Sequence, residues 1–158
     1  QIKTRKPLSK TRIMKKMLLT LAIAVSTLGA VAREANVSEK VLKAFNTEFN
    51  TAKDVEWTVA NDYYMASFTY NEKFVYAYYS TEGELLGLSR HMSPADLPLN
   101  LQTSLKKDYN GYWISDLMEV TKPEGTSYYI TLENADSAMI LKASGGTGWT
   151  QFKKVKKS

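Results

Sequence analysis

The sequence predicts an α+β fold, a tandem repeat of helix plus antiparallel β-meander with the helices on one face of one antiparallel sheet, or of two joined edge to edge. Three observations predict it. Val37, Val41, Phe45 and Phe49 recur every four residues, Leu97, Leu101, Leu105 and Tyr109 repeat that spacing 60 positions later, and a β-rich block follows each set. A four-residue recurrence lays side chains along one helical stripe, whereas alternation of apolar and polar residues marks a half-buried strand. A pattern that returns at a long period is read as one supersecondary unit written twice.

Residues 1–13 begin with Gln and precede a Met that opens a complete leader, so they are expected to be an upstream or non-native extension. Residues 14–32, MKKMLLTLAIAVSTLGAVA, read as a secretory signal peptide. Lys15 and Lys16 supply the basic start, Met17 to Val25 the apolar run, and Ala30-Val31-Ala32 the small-residue cleavage site. The run from 17 to 32 falls short of the roughly 20 residues that a membrane-spanning helix needs. Cleavage is therefore expected, with a periplasmic or secreted product and no stable membrane insertion afterwards. Residues 33–158 would form a single domain of two repeats, about 36–92 and 93–156.

The formal charge of +5 suggests a nucleic-acid binder, but the leader distorts it. Lys3, Arg5, Lys6, Lys10, Arg12, Lys15 and Lys16 all precede Ala32, and no acid does, which leaves the remainder near −2. A polyanion binder needs a basic face to displace phosphate counterions, so no nucleic-acid partner is expected. Lys153, Lys154, Lys156 and Lys157 read as a solvated chain end. There is no cysteine, which excludes disulfides and thiolate chemistry and leaves stability to the core.

Each element then has a local cause. Asn36 and Glu39 stand at capping-box spacing before the first helix. Residues 50–54 connect it to a strand in which Val55, Trp57 and Val59 alternate, and further strands are expected at 63–70, 74–80 and 84–90. Turns at Asn71-Glu72-Lys73 and Thr81-Glu82-Gly83 separate them. Ser93-Pro94 starts a turn, and Pro98 suits the first position of the second helix. Residues 110–112 lead to a strand over 113–120, followed by strands near 127–133, 138–144 and 149–155.

If both early turns are three-residue loops, Phe68 lies opposite Tyr76 and Tyr78 opposite Leu86. Tyr64, Ala66, Phe68, Phe74, Tyr76, Tyr78, Leu86 and Leu88 would then face the helices. Tyr63, Met65, Ser67, Thr69, Val75, Ala77 and Tyr79 would face outward. In the second half the buried set is Tyr128, Ile130, Leu132, Met139, Leu141 and Ala143, and Tyr129, Thr131, Glu133, Ile140 and Lys142 point away. A two-residue turn at Glu82-Gly83 would shift the register by one and flip part of this assignment, but Glu fits the positive φ of such a turn poorly, so the three-residue version is expected.

The segments LKAFNTEFNTAKDVEW, LPLNLQTSLKKDYNGYWISDLMEV and TSYYITLEN give the chain a resemblance, spanning roughly residues 37–154. It resembles the PepSY-like, β-lactamase-inhibitor-like proteins of Gram-negative bacteria. The resemblance implies a curved antiparallel sheet built from tandem α/β units, similar to inhibitors that grip an enzyme with a sheet face and loops. It carries over no functional residue.

No catalytic, cofactor or metal site is expected, and the chain is read as not an enzyme. His91, Ser93 and Asp96 lie too close together in one loop to form a hydrogen-bonded triad with an oxyanion hole, and Ser93 and Asp96 already account for a helix start. Asp54/Glu56 and Glu82/Glu84 sit at strand ends or turns. Glu133-Asn134-Ala135-Asp136 lacks calcium-loop spacing, and Gly145-Gly146-Thr147-Gly148 lacks the lysine of a phosphate loop. Tyr63, Met65, Tyr79 and Tyr129, on the expected bare face, are the candidate binding residues, because rigid aromatics dominate recognition hot spots. The function expected is an exported binding module that engages an envelope protein or peptide, as binder or inhibitor. The alternative is an envelope structural or self-assembling protein without a dedicated ligand.

Overall fold

The structure, a computed structural model, describes residues 36–156. The extension at 1–13, the leader at 14–32 and Lys157 lie outside the described residues. The chain runs α1 (Glu39–Glu48), β1 (Lys53–Val59), β2 (Tyr64–Tyr70), β3 (Lys73–Tyr79), β4 (Leu85–His91), a 3-10 turn (Pro94–Asp96), α2 (Leu99–Asp108), β5 (Trp113–Lys122), β6 (Gly125–Glu133), β7 (Ser137–Ser144) and β8 (Thr150–Lys156).

The expected fold class, a tandem helix-plus-meander repeat, is corrected by this architecture. The eight strands form one antiparallel sheet in the order β1-β2-β3-β4-β5-β6-β7-β8. The boundary drawn at residues 92 and 93 is bridged by β4 and β5, paired from Leu88↔Thr121 to His91↔Met118. Backbone donors and acceptors in those strands satisfy one another, so no free edge separates two units. The α-helices are only 10 residues each. Strand pairing dominates, and the helices are short covers on a continuous sheet.

Local chemistry explains both helices. In α1 the N-cap is Ser38 rather than Asn36, and its side chain accepts from the Val41 amide at 3.4 Å. Ser93 caps the 3-10 turn, with Asp96 Oδ2 accepting from the Ser93 amide in return. Pro98 stands at the N-cap of α2, one position earlier than expected, where its missing N–H costs nothing.

Register departs from expectation at one turn. Tyr70 pairs with Lys73, so the β2–β3 connection is a two-residue turn of Asn71 and Glu72, both at positive φ of 49° and 63°. Positive φ at both central residues matches the right-handed twist of a hairpin, and Asn tolerates it well. The shorter turn flips β3: Phe68 opposes Val75, and Ala66 opposes Ala77. Ala77 and Tyr79 are buried, and Phe74, Tyr76 and Tyr78 face outward. The β3–β4 turn does have three residues, closed by Gly83 at a φ of 89°. A bulge beside Leu85 then shifts the ladder, so Tyr78 opposes Gly87 rather than Leu86.

Both helices pack on one face of the sheet. Beneath α1 lies an aromatic cluster in which Val41, Phe45, Ala66, Phe68, Ala77 and Tyr79 are buried. The Phe45 and Phe68 rings meet edge-on at 4.9 Å, an arrangement that the ring quadrupoles favour. Beneath α2 the cluster is mostly aliphatic: Leu101 and Leu105 close over Leu117, Ile130, Leu132 and Leu141. Trp149 borders it and donates its indole N–H to the Leu101 carbonyl at 3.1 Å. Arg90 and Glu119, half-buried on the same face, form an ion pair at 2.5 Å.

The sheet edges are protected. β1 carries a bulge, with Asp54 at a φ of 52°, and charged residues at Lys53, Asp54 and Glu56. Of the lysines read as a solvated chain end, Lys153 and Lys154 are exposed and lie in β8, opposite Ile140 and Met139. Charge and bulges on edge strands discourage pairing with another chain.

Candidate functional site

Pairing order fixes which residues share the second face. From β2 to β4 it carries Met65, Ser67, Thr69, Phe74, Tyr76, Tyr78, Gly87 and Ser89. Farther along, His91 opposes Met118, Met118 opposes Tyr129, and Tyr129 opposes Lys142, forming one row across four strands. Among the described residues no helix covers this face.

Its centre is nevertheless dry. Ser89 is 2%, Met118 7% and Val120 8% exposed. Among the described residues, that cover comes from neighbours on the same face. The Tyr78 hydroxyl lies 3.3 Å from Ser89 Oγ, and Tyr129 stands directly beside Met118. Burial pushes the Tyr78 phenol above its ordinary value, and the Ser89 contact opposes that only in part. The hydroxyl therefore stays protonated and able to donate or accept.

Around this centre lie the groups available for contact. Phe74 is 51% and Phe152 50% exposed. Phe74 meets Tyr76 edge-on at 5.2 Å, and Tyr76 meets His91 at 6.3 Å. His91 Nδ1 lies 2.9 Å from Asp116 Oδ1, which fixes one edge of the ring and leaves the other open. Phe152 packs edge-on against Tyr129 at 5.7 Å. These rings hold one another in place, so an approaching surface finds them already ordered. Pre-ordered aromatics lose little side-chain entropy on binding.

The expected site residues divide. Tyr63 lies against Tyr78 at 6.0 Å, Met65 is half-buried on the open face, and Tyr129 sits in the row with Met118 and Lys142. Tyr79 does not join them. It is fully buried on the helix side and donates its hydroxyl to Glu48 Oε2 at 3.1 Å. The cause is the short Asn71-Glu72 turn, which puts Tyr78 where Tyr79 was expected. Counting that turn as two residues would have recovered Phe74, Tyr76 and Tyr78. The His91–Asp116 pair joins residues 25 apart in sequence and leaves no local pattern.

The remaining candidates resolve into structural roles. His91, Ser93 and Asp96 do not converge, because Ser93 and Asp96 are engaged in their own cap. Asp54 belongs to the β1 bulge. Glu82 is held below the usual carboxylate range, chiefly by the Thr81 hydroxyl. Asn134 Oδ1 accepts from the amides of Asp136 and Ser137, which makes that segment a side-chain-closed hairpin turn. Thr147 closes the glycine-rich segment by donating its amide to the Ser144 carbonyl. Among the described residues no group of three or more His, Cys, Asp or Glu could hold a metal ion. Nor is any described helix long and apolar enough to cross a membrane.

Comparison with known proteins adds a fold likeness. No protein-family description matches the chain, and no curated protein matches it. Among solved structures, a BLIP-like protein from Bacteroides fragilis is similar with a TM-score of 0.68 at 20% identity, over 77% of this chain and 88% of that one. A candidate periplasmic protein from Bacteroides eggerthii gives 0.67 at 13% identity, over 76% and 88%. A DUF2874 family protein from Bacteroides uniformis gives 0.66 at 15% identity, over 75% and 88%. At these identities the likeness is one of fold: the chain has a BLIP-like fold.

Proposed function

We propose that this chain is an exported, non-enzymatic binding module that captures a protein or peptide on its uncovered sheet face. The observation that carries the reading is two sets of touching rings, Phe74–Tyr76–His91 and Tyr129–Phe152, each ending in a half-exposed phenylalanine, on a face no described helix covers. Rigid aromatics around a dry centre are the composition of recognition hot spots. Export rests on the leader at 14–32, and a periplasmic or secreted location agrees with the description of the Bacteroides eggerthii neighbour. Membership of a PepSY-like family belongs to the same proposal.

The test compares capture from an envelope extract by the wild type and by a Phe74→Ala/Tyr76→Ala variant. Loss of a specific partner in the variant supports the reading; unchanged capture overturns it. Light scattering on the purified protein adds a second outcome. Mass that rises with concentration, with no partner captured, would replace this reading with a self-assembling envelope protein.

A further inference from the structure

We infer that the cleft between Lys122 and Lys142 on the open face is a carboxylate subsite that receives an acidic side chain of the docked polypeptide. This rests on the reading of that face as the docking surface. The cleft encloses about 240 Å3 and is floored by Val120 and Tyr129, with the hydroxyls of Ser127 and Ser144 on its wall. Two strands contribute its cations. Lys142 directly opposes Tyr129. Lys122 follows Val120 by two residues, so both project from one face.

Three features hold the cations ready. The Lys142 ammonium lies 5.5 Å from the Tyr129 ring centroid, and the ring's negative face attracts it over the cleft. The stem of Lys122 crosses Gly87, where an added Cβ would come within 3.2 Å of Lys122 Cγ. Gly87 therefore leaves the space in which that lysine lies down. Among the described residues, neither lysine has a carboxylate within ion-pair distance. Glu124 stands at the cleft from the β5–β6 turn without reaching either ammonium.

The occupant follows from charge and continuity. A cleft lined by two lysines and by the paired Ser127 and Ser144 hydroxyls, 3.4 Å apart, suits one carboxylate, and the near-neutral remainder of the chain lacks the extended positive field that a polyphosphate requires. The row His91, Met118, Tyr129, Lys142 runs without a break from the aromatic flank into the cleft. A polypeptide lying along it reaches both. The aromatic flank supplies buried area, and the cleft fixes position along the row.

The test uses acetyl-glutamate amide and acetyl-glutamine amide as probes, followed by amide NMR shifts of the labelled protein. The glutamate probe is expected to shift Lys122, Ser127, Tyr129 and Lys142 saturably, and the glutamine probe is not. A Lys122→Gln/Lys142→Gln variant should weaken the response about tenfold. If that variant does not fold, added salt serves instead, since screening must weaken a response that is electrostatic. Equal response to both probes, or a response indifferent to the lysines or to salt, overturns the inference. Acetyl-tryptophan amide separates the two readings. Shifts at Tyr76 and Tyr78 without a glutamate response overturn the subsite and leave the docking face standing; silence to all probes overturns both.

Discussion

The hydroxyl of Tyr79 donates to Glu48 Oε2 at 3.1 Å, joining the end of β3 to the last turn of α1. An acid in that turn opposes the helix dipole, so the contact gives Glu48 a reason to be there. The rest of Tyr79 is fully buried and lies against Phe45 at 6.4 Å and Trp57 at 6.3 Å. One side chain thus fills the aromatic core and fastens the helix above it.

Tyr79→Phe keeps the packing and removes the fastening, at an expected cost of about 1 kcal/mol near neutral pH. Burial first, and then the Glu48 charge, push the Tyr79 phenol above its ordinary value. A raised folded-state value means a contribution that is whole below the unfolded value, about 10, and lost as pH rises past it. Urea midpoints measured from about pH 8 to 11 should therefore fall in the alkaline range, and fall less in Tyr79→Phe. Parallel curves would show that Tyr79 ionises as freely folded as unfolded.

Glu72 occupies the second central position of the β2–β3 turn at a φ of 63°, a conformation that Gly and Asn adopt readily but that is unfavourable to Glu. Glu72→Gly should relieve that strain and stabilise the protein by about 1 kcal/mol, despite glycine's greater freedom when unfolded. Thermal or urea unfolding reads it directly. Destabilisation would argue for a different turn and a different β3 register.

The two faces of the sheet should respond oppositely to truncation. Phe68 is fully buried among aromatic rings, and Phe68→Ala should cost about 3–5 kcal/mol. Phe74 is half exposed, and Phe74→Ala should change stability by no more than about 1 kcal/mol. Chemical denaturation of the pair decides whether the assigned faces are right.

Gly87→Ala tests the crowded strand under the open face. Its methyl would lie 2.9 Å from the Thr121 carbonyl oxygen, a backbone atom that cannot move without disturbing the β4–β5 ladder. The expected loss is about 1–3 kcal/mol. A neutral result would mean that β5 yields easily at that point.

The sheet's second half was legible from pattern alone. Ile130, Leu132, Met139, Leu141 and Ala143 alternate with Thr131, Glu133, Ile140 and Lys142, all but one of them polar, and the five are buried. β3 was not legible in this way, because Phe74, Val75, Tyr76, Ala77, Tyr78 and Tyr79 offer apolar groups to both faces. The fold class misled for a related reason. Recurrent spacing in sequence suggested two units, while the pairing of β4 with β5 makes one sheet.

By itself the sequence determined where strands and helical stripes lie, since side-chain periodicity is a local property of each backbone conformation. It also determined that no cysteine chemistry is available. Only the tertiary structure decided that Tyr78 rather than Tyr79 meets the open face, that His91 meets Asp116, and that Lys122 and Lys142 share one cleft. Those outcomes depend on turn length and strand order, where a change of one residue reverses every side chain and distant segments become neighbours.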